Sequence, residues 1–187
     1  MSHESSRDES AYGVIVGPGT VRFERLLPGP VERVWSYLVD SDKRGKWFAT
    51  GEMEPRVGGS VEFFIHHADL SIHQAPIPER YRAVENGHRS RQKVLRFEPP
   101  RVLAFTFGEP PQEASEVTFE LTPQGDKVLL VLTHRRLANK KMMEGVSGGW
   151  HTHLAVLVER LNNREPRAFW TIHGEIDGVY EKQFADK

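Results

Sequence analysis

The sequence predicts an α+β fold in which a curved antiparallel sheet grips a C-terminal helix around an apolar cavity. Three observations carry this expectation. Residues 30–48, PVERVWSYLVDSDKRGKWF, read as a short amphipathic helix, a charged break and an aromatic pair. Short strand signals joined by Gly and Pro turns then occupy most of the chain. A second amphipathic stripe follows at residues 150–163.

The elements follow in order. Thr20–Leu27, which follows Val14-Ile15-Val16 and Gly17-Pro18-Gly19, is β-branched and aromatic and reads as a strand. Pro28-Gly29-Pro30 stops the strand, and Pro30 suits a first helical turn, where a missing N–H is no loss. Val31, Val34, Trp35 and Leu38 fall at i, i+3, i+4 and i+7, one helical face. Asp40-Ser41-Asp42 can end that helix and cap a second short one running through Trp47-Phe48. Glu52–Arg56 and Ser60–His67 are expected to pair as a hairpin about Val57-Gly58-Gly59, with Val61, Phe63, Ile65 and His67 on one face. Residues 68–87 are irregular, with a short helix expected from Pro78 to Glu85. Their length suits a lid. Arg89–Glu98 and Arg101–Phe107 turn at Pro99-Pro100, and Ser115–Leu121 and Lys127–Arg135 complete the meander. Val117, Phe119 and Leu121 alternate with polar residues, giving one buried face. Gly148-Gly149 are expected to precede a helix from Trp150 to Asn163, with Trp150, His153, Leu154, Leu157 and Leu161 on its apolar stripe. One last amphipathic helix is expected within the extension 164–187.

Composition bounds the function. The chain has 187 residues, with 25 basic and 26 acidic ones. One domain is expected over residues 12–187, after a Ser- and charge-rich, disordered N-terminus at 1–11. Balanced charge implies neither nucleic acid nor an anionic membrane as partner. No apolar run is long enough for stable membrane insertion. Without cysteine, thiolate chemistry is excluded, and a reducing, cytoplasmic location fits.

Three segments together resemble the START-like helix-grip (SRPBCC) superfamily, in the branch related to the C-terminal domain of the activator of Hsp90 ATPase. They are VRFERLLPGPVERVW at 21–35 with Trp47-Phe48, VLRFEPPRVLAFT at 94–106, and LLVLTHRRL at 129–137 with Gly148-Gly149-Trp150 and the following helix. The resemblance implies seven antiparallel strands, two short helices between the first and second of them, and an apolar cavity against the long helix. It implies no universal catalytic residue and no cofactor. Binders, cyclases and chaperone activators share the fold, so fold alone does not fix function. The long 68–87 connection departs from simpler members.

The candidate cavity residues are Trp35, Trp47, Phe48, Phe63, Ile65, His67, Phe105, Phe119, Trp150, His153, Leu154 and Leu157. Each aromatic has core packing as its plainer role, and pocket walls are also apolar and aromatic. His153 is either a core histidine bonded to a carbonyl or water, or a ligand-binding group or base. His134 is read as a sheet-edge residue near solvent, with a place at the cavity mouth near the long helix as the alternative. His66-His67 with Asp69 and His73 resemble metal ligands, but neighbouring strand residues face opposite ways. His151 and His153 lie about 200° apart on a helix and fail likewise. No metal is therefore expected. Arg80, Arg82, Arg89 and Arg91 are read as a solvated loop with ion pairs, with carboxylate or phosphate binding as the alternative. No GxSxG elbow or phosphate loop appears.

The leading expectation is non-enzymatic binding of a small apolar or amphipathic molecule by a monomer or homodimer. The alternatives are a chaperone-activator-like interaction domain, with Hsp90 as a partner through the resemblance alone, and a cyclase or hydrolase using cavity polar groups. No separate activator domain is expected ahead of the fold.

Overall fold

Two-residue alternation sets the sheet. In the computed structural model, which describes residues 11–187, seven strands form one antiparallel sheet. They are β1 (Val14–Gly17), β2 (Thr20–Pro28), β3 (Ser60–Ile65), β4 (His88–Glu98), β5 (Val102–Phe107), β6 (Ser115–Gln124) and β7 (Lys127–Arg135). Their spatial order is β1-β2-β7-β6-β5-β4-β3, so β2 meets β7 across the middle and the rest is meander. Val21 and Phe23 of β2, Val117, Phe119 and Leu121 of β6, and Val128, Leu130 and Leu132 of β7 are all buried. They share the concave face because side chains two apart in a strand point the same way. The expected disordered N-terminus lies outside the described residues except for Ala11.

The helices fill that concavity. α1 (Val31–Val39) follows Pro30 and buries Val34, Trp35 and Leu38, as its spacing requires. α2 (Ser41–Arg44) is a single turn, shorter than the expected helix through Phe48. α3 (Lys140–Leu161) begins ten residues before the expected start at Trp150 and runs through Gly148 and Gly149. Asn139 caps it by accepting from the Met142 N–H at 2.9 Å. A cap this far upstream lets the helix absorb two glycines in its interior.

The final amphipathic segment is two helices, α4 (Phe169–Ile176) and α5 (Val179–Phe184). Gly178 divides them at φ 74°, a left-handed conformation that glycine adopts without steric penalty. Together they cover the side of α3 that faces away from the sheet. Phe169, Ile172, Ile176, Tyr180 and Phe184 are buried there. α5 also holds the chain's other end: the Tyr180 hydroxyl accepts from the Gly13 N–H at 2.9 Å, and Gln183 donates to the Gly13 carbonyl at 2.7 Å.

Two local expectations change. Glu52–Arg56 is not a strand, and only isolated bridges at Thr50–Phe64 and Met53–Val61 join this stretch to β3. β3 ends at Ile65, and His67 opens a 3-10 turn (His67–Leu70) instead of continuing the strand face. A second 3-10 turn spans Glu79–Val84, within the expected short helix.

Arg44 explains the irregular stretch before β3. The residue is 1% exposed, and its guanidinium donates to the carbonyls of Leu38 (3.3 Å), Val39 (3.0 Å), Ala49 (3.1 Å) and Gly51. Its carbon lies 5.4 Å from the Phe63 ring centre. Gly51 has φ 126°, and a Cβ there would strike the Glu62 carbonyl. Backbone groups that a ladder would satisfy are satisfied here by one side chain. Burial lowers the Arg44 pKa to about 10, so the group stays charged at neutral pH. Arg44→Met should destabilise the fold by about 3 kcal/mol, because the stranded carbonyls lose their donors. Arg44→Lys should recover little of this, since one ammonium cannot reach four divergent acceptors. Urea denaturation midpoints of the three proteins check both statements.

Candidate functional site

The loop that Arg44 organises and the face of α3 form a pocket of about 210 Å³. Its walls are Phe48, Ile65, His67, Val84, His88, Phe107, Val146, Gly149, Trp150 and His153. Val146, Gly149, Trp150 and His153 stand at i, i+3, i+4 and i+7 along α3, a stripe that continues one turn upstream of the expected helix. Phe107 continues the series Leu103 and Phe105 along β5. These spacings are the signal for Val146, Gly149 and Phe107. Val84 comes from the far end of the long connection, where residue spacing carries no such signal, and His88 opens β4 on the face of Gln92 and Val94.

Of the twelve sequence candidates, Phe48, Ile65, His67, Trp150 and His153 meet at this pocket. The other seven are held in the core. Trp35 packs edge-on against Phe97 at 5.5 Å. Trp47 donates from its indole N–H to the Tyr37 carbonyl at 2.7 Å and meets Phe119 edge-on. Phe63 and Phe105 stand 4.9 Å apart, and Leu154 and Leu157 are fully buried under the sheet.

The long connection closes one side of the pocket and is itself strapped down by the C-terminal extension. Ser71 donates from Oγ to the Pro166 carbonyl at 2.6 Å, and the Ile72 N–H donates to Glu165 at 3.0 Å. Tyr81 stacks on Trp170 at 5.0 Å, and His67 lies 4.1 Å from the Phe169 ring. A second recess of about 190 Å³ lies under the connection and shares His67 and Val84 with the first. A larger depression of about 660 Å³ mixes the apolar side chains of Leu26, Ala155, Val158 and Ile172 with the charged Glu24, Arg25, Glu159, Glu165 and Arg167.

The arginines of this region do not converge. Arg82 pairs with Glu79 at 2.6 Å, Arg91 with Glu62 at 2.5 Å and Arg80 with Asp177, while Arg89 lies over Phe64. His66 pairs with Asp69 at 2.9 Å, whereas His67 turns toward Phe169 and His153. Among the described residues, no group of three His, Asp or Glu gathers in metal-binding geometry.

His134 corrects the sequence reading. It is fully buried on central strand β7, two residues beyond Leu132, so the alternation from Val128 carries it onto the concave face. Trp150 donates from its indole N–H to His134 Nδ1 at 3.0 Å. The ring proton is therefore on Nε2, which donates to Ser115 Oγ at 2.6 Å, and Ser115 donates to the Phe107 carbonyl at 2.7 Å. A histidine that activates a serine accepts the serine's proton; here the direction is reversed. The trio orients Trp150 and Phe107 at the pocket wall.

His153 meets a carbonyl as well. Its Nδ1 lies 2.8 Å from the Trp47 oxygen, which can only accept, so Nδ1 carries the proton. Nε2 is left as an acceptor. Burial lowers the pKa of His67 and His134 to about 3 and of His151 and His153 to about 4, and lowers that of His173. An unfolded chain protonates histidine near 6.5, so below that pH it binds protons that the folded state refuses. Stability should be complete above about pH 6.5 and fall as pH drops toward 4. Each buried histidine contributes up to about 1.4 kcal/mol per pH unit in that window. Urea midpoints at pH 7.5, 6 and 5 should decrease in that order, and equal midpoints would contradict buried neutral histidines.

Comparison with known proteins places this geometry in a family. A search of curated proteins returned no match. Among solved structures, a Bordetella parapertussis protein encoded by gene BPP1335 shares 46% identity over 91% of this chain and 88% of its own, with a TM-score of 0.76. CalU16 from Micromonospora echinospora shares 22% over 91% and 93%, with a TM-score of 0.63. NE0264 from Nitrosomonas europaea shares 18% over 80% and 97%, with a TM-score of 0.62. These two are alike in fold. Residues 28–162 match the family model described as Activator of Hsp90 ATPase homolog 1-like protein, a span that reaches from the end of β2 to the end of α3. With the seven-stranded sheet wrapped on its long helix, the chain belongs to the Activator of Hsp90 ATPase homolog 1-like family, on the helix-grip fold.

Proposed function

We propose that this protein binds a small apolar or amphipathic molecule in the pocket between Phe48, Phe107 and α3, and does so without transforming it. The observation that carries the reading is the pocket wall itself. Its side chains are aromatic and aliphatic apart from three histidines, and none is a lysine, arginine, aspartate or glutamate. Binding sites of this kind combine apolar walls with few polar groups that fix orientation. The reversed Ser115–His134 polarity argues against acyl transfer through that serine. Among the described residues no helix is long and apolar enough to cross a membrane. A cytoplasmic carrier or sensor is the corresponding reading. Family membership supports a second role, association with Hsp90. Its test is the ATPase rate of a purified Hsp90 with and without the protein.

Gly149 offers the test of the pocket. A Cβ built there meets nothing within 4 Å, and the residue lines the pocket on a regular helix. Gly149→Leu should fill the space while keeping the fold, and should raise stability by about 0.5–1 kcal/mol, because glycine disfavours helix interiors. Titration calorimetry with a panel of small aromatic and aliphatic compounds should give binding to the wild type and none to Gly149→Leu. Equal binding by both proteins would place the ligand elsewhere.

A further inference from the structure

We infer that the pocket selects uncharged, single-ring ligands carrying a hydroxyl, the chemistry of a substituted phenol, and that His153 Nε2 is the atom that reads the hydroxyl proton. The inference rests on the pocket being the binding site, as proposed above.

Size sets the first limit. An apolar cavity of about 150 Å³ accepts benzene. The 210 Å³ here therefore holds one ring with small substituents, and the bulk of a sterol or long acyl chain would lie outside it. The flat faces of Phe48, Phe107 and Trp150 favour an aromatic body, since offset and edge-on ring pairs are attractive.

Charge sets the second. No lysine or arginine lines the wall, so a carboxylate or phosphate would lose its hydration without gaining a counter-charge. No aspartate or glutamate lines it either, which disfavours an ammonium for the same reason.

Hydrogen-bond polarity sets the third. His88 lies at the exposed rim, while His153 is buried and His67 partly so. The His153 proton is committed to the Trp47 carbonyl, so the ring offers the pocket a lone pair on Nε2. An ether or ketone would set lone pair against lone pair, whereas a hydroxyl donates. His67 stands 5.6 Å from His153, ring to ring, and its buried Nδ1 has no hydrogen-bond partner in the structure. That nitrogen is closed off from the pocket as well as from the protein's own donors, so Nε2 of His153 is the acceptor a ligand meets. Buried polar groups are generally paired, and a hydroxyl, which donates, is the small group most able to supply what is missing.

The test is a matched set measured by titration calorimetry on the wild-type protein: 4-ethylphenol, 4-ethylanisole and 4-ethylbenzoate. The phenol should bind about tenfold tighter than the methyl ether, the ratio expected of one net hydrogen bond. The benzoate should bind more weakly than either. His153→Asn keeps an amide N–H within reach of the Trp47 carbonyl but lacks the distal acceptor. It should collapse the tenfold preference for the phenol over the ether to about one, whatever it does to the two affinities together. If the ether or the benzoate binds the wild type as tightly as the phenol, the inference fails and the binding reading stands. If no member of the set binds but larger compounds do, the size limit is wrong and the inference fails. If nothing binds the wild type at all, both fall. Should His153→Asn not fold, the wild-type series decides alone.

Discussion

One buried guanidinium holds the site in place. Arg44 gathers carbonyls from the end of α1 and from the loop before β3, and together with turn bonds onto its own carbonyl and the Thr50–Phe64 bridge it fixes residues 45–51. Phe48 is set against Phe63, Trp150 and His153 by that loop. The Trp47 carbonyl is aimed at His153 by the same loop, and this fixes which nitrogen of that ring holds the proton. A charge placed under the sheet thus controls the protonation pattern of a neutral ring on the opposite wall. Buried charge is costly unless its donors are met, and Arg44 meets them with backbone, which no mutation of side chains can remove.

The buried histidines do a related job with less charge. His134 and His153 are each held in one tautomer by a single partner, Trp150 in one case and a carbonyl in the other. Each thereby becomes a directional polar strut within an aromatic cluster. Struts of fixed polarity suit recognition better than proton transfer, which needs a ring free to exchange its proton near neutral pH.

The strand alternation, the α1 stripe and the turn at Pro99-Pro100 were legible because each rests on local spacing or turn chemistry, whereas β6 runs through Thr122-Pro123-Gln124, read as turn residues, to a tight turn at Gly125-Asp126. The sheet order followed from consecutive hairpins and from the resemblance of three segments. The same period-two rule applied to Val128, Leu130 and Leu132 places His134 inside, and treating it as an edge residue ignored its own strand. Starting α3 at the glycines hid Val146 and Gly149, since glycine reads as a break when a distant cap such as Asn139 is overlooked. Arg44 gave no signal at all. Its neighbours Asp42, Lys43 and Lys46 are charged, and only the folded loop distinguishes it from them. The contact of residues 71–84 with the extension joins segments some ninety positions apart and follows from no local pattern.

The two α-helices after α3 occupy a particular place in the order of synthesis. A ribosome delivers the whole sheet and the long helix before it delivers Phe169 to Phe184. Until those residues emerge, His151 and His153 of α3 lack Tyr180 and Phe169, and the segment from Ser71 to Tyr81 lacks Pro166, Glu165 and Trp170 to rest upon. The nascent domain can therefore form its sheet around the helix while its pocket still stands open on the side that the connection later closes. Enclosure of the site is a late event in translation, set by the distance between α3 and Phe184 along the chain.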